Sequence, residues 1–197
     1  MKRLFDIVLA LVLFVPISLF VVILSITILV CDRFSPFFLQ KRIGKDGLLF
    51  TCYKLQTMKP AQEQSVIGER EKDADRSTKF GEFIRNHGWD ELPQIINVLS
   101  GQMSFIGPRP LLQRTFDRIM EKNPDMIEDI GAWQDARKRV RPGITGWHQI
   151  QLLPSASIIR CDMEYLKNYS ISKDVKILFV TGLAFVFGKK IASKIVS

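Results

Sequence analysis

The stretch IVLALVLFVPISLFVVILSITILVC, Ile7–Cys31, runs for 25 residues without a charged side chain or a histidine. A bilayer core about 30 Å thick needs roughly 20 apolar helical residues, so this run is long enough to cross one. A secretory signal fits poorly, because its apolar region is shorter and no small-residue cleavage site follows here. Pro16 lies mid-run and has no N–H for the carbonyl of Val12, so a bend is expected there. Both flanks are basic: Lys2 and Arg3 before, Arg33, Lys41, Arg42 and Lys45 after. A simple span shows Lys/Arg asymmetry. The residues leave two readings open. One is a kinked span; the other is a re-entrant helix that enters one leaflet, breaks at Pro16 and returns.

Working outward, the 197-residue chain carries 28 Lys+Arg against 20 Asp+Glu, a net charge of +8. The length suits one compact domain plus an appendage, divided here as a membrane segment over 1–35 and a membrane-associated catalytic domain over 36–197. Fourteen Phe, three Trp and three Tyr can fill a core, which excludes a disordered chain. Cys31, Cys52 and Cys161 are odd in number and form no CxxC pair, so reduced thiols and a cytoplasmic setting are expected. His87 and His148 are the only histidines, too few for a histidine-rich metal centre, and no GxSxG frames a nucleophilic serine. The basic residues form no aromatic-interleaved stripe, and GxxxxGK[ST] and GxGxxG are missing, so nucleic acid is not an expected partner. Near the end, Ile177–Phe187 (ILFVTGLAFVF) is too short to span. Lys173 and Lys176 precede it, and Lys189, Lys190 and Lys194 follow. It reads equally as a buried core helix or as an interfacial helix whose lysines reach anionic headgroups.

Between these stretches, FFLQKRI and LLFTCYKL around GKDG predict a β-hairpin over 37–57. Residues 59–77 are polar and read as a surface loop. Phe80–Asn86 is a short amphipathic helix. Asp90–Ser100 reads as a helix with Asp90 at its N-cap, Glu91 and Pro93 in the first turn and Gly101 after its end. Leu111–Arg139 is helical with a break near Asn123–Pro124, RPGITG is a turn, and Ser157–Asn168 is another helix. The fold class expected is α+β and mainly helical: an N-terminal membrane helix, kinked or re-entrant, a short hairpin and a small helical domain with interfacial amphipathic helices.

Two constellations carry chemistry. Asp90 and Glu91 are adjacent acids at a helix start, where carboxylates ordinarily cap free N–H groups and meet the positive end of the dipole. The functional alternative uses their divergence, roughly 100° in a helix. One carboxylate attacks a phosphorus while its neighbour holds Mg²⁺, an ion that takes one or two carboxylates plus substrate phosphates. The second constellation is cationic. Arg109 lies in Pro-Arg-Pro, Arg141 in Arg-Pro-Gly, and Arg85 just ahead of the acid pair. A rigid backbone preserves the two-point match of guanidinium to phosphate. For Arg137–Gly143 (RKRVRPG), attraction to lipid headgroups is the plainer account.

The run DELPQIINVLSGQMSFIGPRPLL (Asp90–Leu112) followed by RPGITG (Arg141–Gly146) closely resembles the bacterial sugar transferase family of monotopic phosphoglycosyl transferases. QKRIGKDGLLFTCYKLQTM (Gln40–Met58) is similar to that family's Q-x-R-x-G…F…K-F-R-T-M stretch, and the N-terminal apolar segment with its central Pro16 also matches. The resemblance implies that Asp90 is the nucleophile and Glu91 the Mg²⁺ ligand. It implies that Lys54, Arg85, Arg109 and Arg141 bind substrate phosphates, and it aligns Asp162 with a late acidic position of unassigned role. It further implies transfer of a sugar-1-phosphate from a UDP-sugar to polyprenyl (undecaprenyl) phosphate, with UMP leaving from a covalent Asp90 phosphosugar. This would be the first membrane step of glycoconjugate assembly, on the cytoplasmic face of a bacterial inner membrane, among membrane lipids and ahead of downstream glycosyltransferases. The sequence departs from the family at Gly88-Trp89, where Ser-Leu is usual. It departs again at Gln56, where a cation is usual, and at Val15, where a serine precedes the proline.

Overall fold

The computed structural model describes residues 2–60, 76–122, 127–151, 158–189 and 192. The polar stretch 61–75, the helix break expected at Asn123–Pro124, Lys190 and Lys194 lie outside them. Helix α1, Lys2–Cys31, takes in the whole apolar run, with helical conformation on both sides of Pro16. It is long and apolar enough to cross a membrane. One stripe of it is nonetheless buried against the rest of the chain. Asp6, Ala10, Leu24, Ser25 and Ile28 are buried, and Leu9, Leu13, Ile17, Phe20 and Val21 pack partly between them. This is the three-four spacing of a single helical face. Leu11, Val12, Val15, Leu19 and Val22 cover the opposite, exposed face.

Both ends of α1 are fastened to the same globular unit. Near the start, Arg3 donates to the carbonyls of Val98 (2.6 Å) and Leu99 (3.1 Å). The buried Asp6 carboxylate accepts from the Ser104 hydroxyl (3.0 Å) and the Phe105 N–H (3.1 Å). Near the far end, Leu24 and Ile28 join Leu55 and Ile84 in one cluster, and Asp32 accepts from Thr78.

The hairpin forms as its alternation predicts. Strands β1 (Phe37–Ile43) and β2 (Leu49–Leu55) pair antiparallel from Phe37↔Leu55 to Ile43↔Leu49. Asp46 and Gly47 take the left-handed conformation that closes the turn. Alternation along β2 puts Phe50, Cys52 and Lys54 on one face. Phe50 and Cys52 enter the core, so Lys54 is carried inward as well. Helix α2, Lys79–His87, is capped by the Thr78 hydroxyl and ends at Gly88.

Two expectations need correction. The acid pair does not begin an α-helix with Asp90 at its cap. Gly88 adopts φ +74° and its carbonyl accepts from the Glu91 N–H (3.2 Å), so a 3₁₀ turn spans Trp89–Gln94 before the short helix α3, Ile95–Leu99. Neither acid is used as a cap. RPGITG is also more than a turn: it contains strand β4 (Gly143–Thr145), parallel to β3 (Ser104–Ile106) in the FIGPRP segment. The two backbones approach so closely that a Cβ on Gly143 would lie 2.1 Å from the Gly107 nitrogen, which is why glycine stands there.

The remaining helices follow expectation. Helices α4 (Gln113–Lys122) and α5 (Ile127–Lys138) fall on either side of the expected break, itself outside the described residues. After the single turn α6 (Trp147–Ile150) come α7 (Ile158–Lys167) and α8 (Ile171–Phe187). The buried-helix reading of the last apolar stretch holds for one face of α8. Ile177 and Val180 are buried, while Phe179, Val186 and Phe187 are exposed.

Candidate active site

Asp90 and Glu91 are both nearly buried, at 9% and 8% exposure, yet their surroundings differ. In a 3₁₀ turn successive residues diverge by about 120°, so the two carboxylates face different neighbours. Glu91 Oε1 accepts from Lys54 Nζ (2.8 Å), delivered by the inward face of β2, and from Arg109 Nη2 (3.0 Å). Burial alone would raise the Glu91 carboxyl, but Arg109, Lys54 and Lys189 hold it well below the usual carboxylate range. Asp90 feels the same three cations, but their recorded direct contacts fall on Glu91 and burial outweighs them at Asp90. Its Oδ1 is buried without a hydrogen-bond partner. Burial and then the Glu91 charge push its carboxyl up. One member of the pair is held as an anion by its partners; the other has its carboxyl pushed up and keeps an unpartnered oxygen.

Arg109 is immobilised through its backbone. The carbonyl of Pro108 accepts from Gly143 N–H (3.0 Å), that of Arg109 from Arg137, and that of Pro110 from Arg42 Nη1 (2.7 Å). Burial and the neighbouring Arg109 lower the Arg42 guanidinium to about 10. Asp162 now has a place. It is buried far along the chain in α7, where it accepts from Trp133 Nε1 (3.0 Å) and pairs with Arg137. Asp162 is therefore linked to Arg109 through Arg137, which donates to the Arg109 carbonyl. The RKRVRPG segment accordingly is not simply a headgroup ligand, since its Arg137 is buried in this pair.

The other arginines lie elsewhere. Arg85 donates to the Thr57 carbonyl (3.0 Å) and to the Thr57 and Ser77 hydroxyls, tying α2 to the exit of β2. Arg141 donates to the Gly101 carbonyl (2.7 Å), joining β4 to the end of α3. Lys54, Glu91 and Arg109 are thus brought together around the dyad, and Arg85 and Arg141 hold its scaffold.

Trp89, which departs from the family pattern, braces the turn. Its ring meets Phe20 of α1 edge-on (4.9 Å) and Phe83 of α2 (5.2 Å), and its indole N–H donates to the Phe185 carbonyl of α8 (3.0 Å). A cavity of about 850 Å³ opens beside the dyad, with Glu91 and Arg109 in its wall. Lys189 also lines it, a residue whose only visible signal in the sequence is membership of a lysine cluster.

The acid pair fits Mg²⁺ as a site completed by substrate. Both recorded cation contacts of Glu91 fall on Oε1, and the Asp90 oxygen is unpartnered. Among the described residues no cluster of three or more His, Cys, Asp or Glu could cage a metal. An ion content with one or two carboxylates plus phosphates matches that donor set.

Comparison with known proteins agrees with this architecture. Residues 1–188 match the family described as bacterial sugar transferase. The chain is 33% identical over 189 residues to UDP-glucose:undecaprenyl-phosphate glucose-1-phosphate transferase of Escherichia coli (strain K12), covering 92% of this chain and 39% of that protein. It is 38% identical over 185 residues to an uncharacterized sugar transferase of Bacillus subtilis (strain 168), covering 92% and 85%. It is 40% identical over 151 residues to UDP-N-acetylgalactosamine-undecaprenyl-phosphate N-acetylgalactosaminephosphotransferase of Aeromonas hydrophila, covering 73% and 34%. The chain thus spans well under half of two of these three relatives. With the match running over nearly its whole length, the chain belongs to the bacterial sugar transferase family.

Proposed function

We propose that this chain transfers a sugar-1-phosphate from a UDP-sugar to polyprenyl phosphate through a covalent intermediate on Asp90. The observation that carries the reading is the asymmetry of the dyad: Glu91 neutralised by Lys54 and Arg109, Asp90 buried with an unpartnered oxygen. In the first half-reaction an Asp90 carboxylate oxygen attacks the phosphorus that bears the sugar. The P–O bond to UMP breaks, and UMP leaves with the electron pair. In the second, an oxygen of polyprenyl phosphate attacks the same phosphorus, giving polyprenyl diphosphate-sugar and restoring the carboxylate. Dividing the transfer lets a water-soluble donor and a membrane-bound acceptor use one phosphorus in turn.

Each side chain has a task in this scheme. Arg109, fixed by three backbone contacts, lays a guanidinium against the phosphate charge, and Lys54 sets the orientation of Glu91. Glu91 and the donor phosphates would hold Mg²⁺, which supplies charge neutralisation at the reacting phosphoryl group. Burial keeps water from the acyl phosphate.

The membrane arrangement we propose is monotopic. A straight 30-residue helix is about 45 Å long, and α1 meets one globular unit near both ends. A unit on one side of a bilayer cannot touch both ends of a helix that crosses it. A re-entrant α1, turned at Pro16, is compatible with those contacts and places the dyad at headgroup depth, on the cytoplasmic face of the inner membrane.

The test is incubation of the purified full chain with UDP-sugars and Mg²⁺, with and without polyprenyl phosphate. Donor alone should leave a phosphosugar on the peptide containing Asp90, read by mass spectrometry, and acceptor should discharge it. An absolute requirement for acceptor before UMP appears, or undiminished release from Asp90→Asn, would refute the mechanism. The three relatives' names carry different sugars or none, so a side-by-side panel of donors identifies the hexose.

A further inference from the structure

We infer that the cavity between α1 and α8 is the seat of the acceptor lipid, with Lys189 as the cation that receives its phosphate. The inference rests on the proposed function and assigns a place to one of its two substrates. Leu9, Leu13 and Ile17 of α1 form one wall, and Leu178 and Phe185 of α8 another. The outer faces of the same two helices carry exposed apolar side chains, among them Val12 and Val15 on α1 and Phe179 and Val186 on α8. The walls are therefore continuous with the surfaces that face hydrocarbon. A chain entering from the bilayer reaches the dyad without crossing water. At about 850 Å³ the cavity has the size of a true ligand pocket, typically roughly 300–1,000 Å³.

The charged side chains of the lining are Glu91, Arg109 and Lys189, and they lie near one another: Arg109 bonds Glu91 (3.0 Å), and Lys189 sits against Gly88, whose carbonyl accepts from the Glu91 N–H. Part of the wall's polar surface is occupied: the Thr145 and Thr181 hydroxyls bond each other (2.8 Å), and Gln149 Nε2 donates to the Ile144 carbonyl (2.8 Å), while Gln149 Oε1 is unpartnered. An apolar slot closed by cations suits an amphiphile with a single anionic head, not a nucleotide with many donors and acceptors to satisfy.

Lys189 differs from the other cations near the dyad. Lys54 and Arg109 are committed to Glu91. Among the described residues, Lys189 makes no salt bridge. Its ammonium lies 3.7 Å from where a Cβ on Gly88 would sit, against the glycine that launches the turn. Its charge lowers both acids. It also lies one residue beyond the family match, which ends at 188. A monophosphate arriving head-first would meet an uncommitted ammonium beside the phosphorus it must attack.

The experiment uses the full chain in lipid nanodiscs and measures binding of polyprenyl phosphate without donor. A diazirine on the isoprenoid chain should label peptides of α1 and α8 that line the cavity. Lys189→Ala should raise the Kd about tenfold, the effect of losing one phosphate contact of about 1.4 kcal/mol, and Lys189→Arg should restore it to within about threefold. Ala184→Phe, which narrows the slot without touching a charge, should weaken labelling and binding together. Labelling confined to other elements, or an unchanged Kd in both Lys189→Ala and Ala184→Phe, overturns the inference. Failure of the Asp90 adduct to form on donor alone is read separately and would overturn the catalytic scheme instead.

Discussion

Two buried carboxylates meet arginines in this molecule, Glu91 with Arg109 and Asp162 with Arg137, and their neighbourhoods are built for different ends. Around Asp162 the indole N–H of Trp133, a ring with no exposed surface, completes a closed set of partners. Around Glu91 the pairing is also close, but the site opens on a large cavity and the preceding residue, Asp90, is a buried acid with an unpartnered oxygen. Burial and pairing alone therefore do not separate chemistry from scaffold. The unpaired neighbour does. A buried unsatisfied carboxylate is destabilising, and a fold retains one where it has work to do.

Replacing the two acids in parallel would sharpen or break that contrast. Asp90→Asn should lower turnover on the order of 10⁴-fold, as loss of a nucleophile does, with an unchanged circular dichroism spectrum. Asp162→Asn should lose about tenfold or less, and equal losses from both would erase the distinction. Next in size, Glu91→Gln should reduce kcat by roughly 10²–10³-fold, the effect of removing one preorganised charge from a phosphoryl-transfer site. That loss should appear in the rate of the donor-only adduct as well as in the complete reaction.

Stability should rank the pair the other way. Asp162→Ala leaves Arg137 without its counter-ion, which costs about 3–5 kcal/mol and lowers Tm by roughly 6–20 °C in a chain of this size. Differential scanning fluorimetry in detergent would detect it. A Tm within 2 °C of the parent would mean that Arg137 does not depend on Asp162.

The smallest effect is a pH dependence. The Asp90 carboxyl is raised above 3.8 in the folded chain, so the native state holds its proton where the unfolded chain has lost it. Asp90 therefore costs no stability below the unfolded value near pH 3.9. The cost grows as pH climbs toward the raised native value and is constant above it. Asp90→Asn removes it, so the variant's Tm advantage should be absent in strong acid and reach a plateau toward neutrality. An advantage largest in acid would reverse the assignment.

The elements that could be read from the sequence are those with a local period. Alternation around GKDG specifies the hairpin, and Lys54 is carried inward by the same parity as Phe50 and Cys52. The acid pair, Arg109 and the membrane helix also announce themselves locally. The β3–β4 pairing did not, because three residues on each side carry no periodic signal and their partners lie some forty positions apart. The 3₁₀ turn was hidden because Asp90 satisfies every compositional rule for an N-cap, whereas the left-handed Gly88 begins the turn earlier. Arg42, Arg137 and Lys189 were invisible as site residues for a similar reason. Basic side chains near a membrane have an ordinary explanation, and only tertiary contact shows which of them turn inward.

The way α1 is fastened has a consequence for how the molecule comes into being. The helix cannot be trimmed away to leave a water-soluble enzyme. Its removal would uncover Ser104, Phe105 and the carbonyls that end α3, and would empty the cluster of Leu55 and Ile84. Nor can the rest of the fold close without it, since the buried stripe of α1 is a wall of its interior. Placement of the helix and closure of the core therefore belong to a single event.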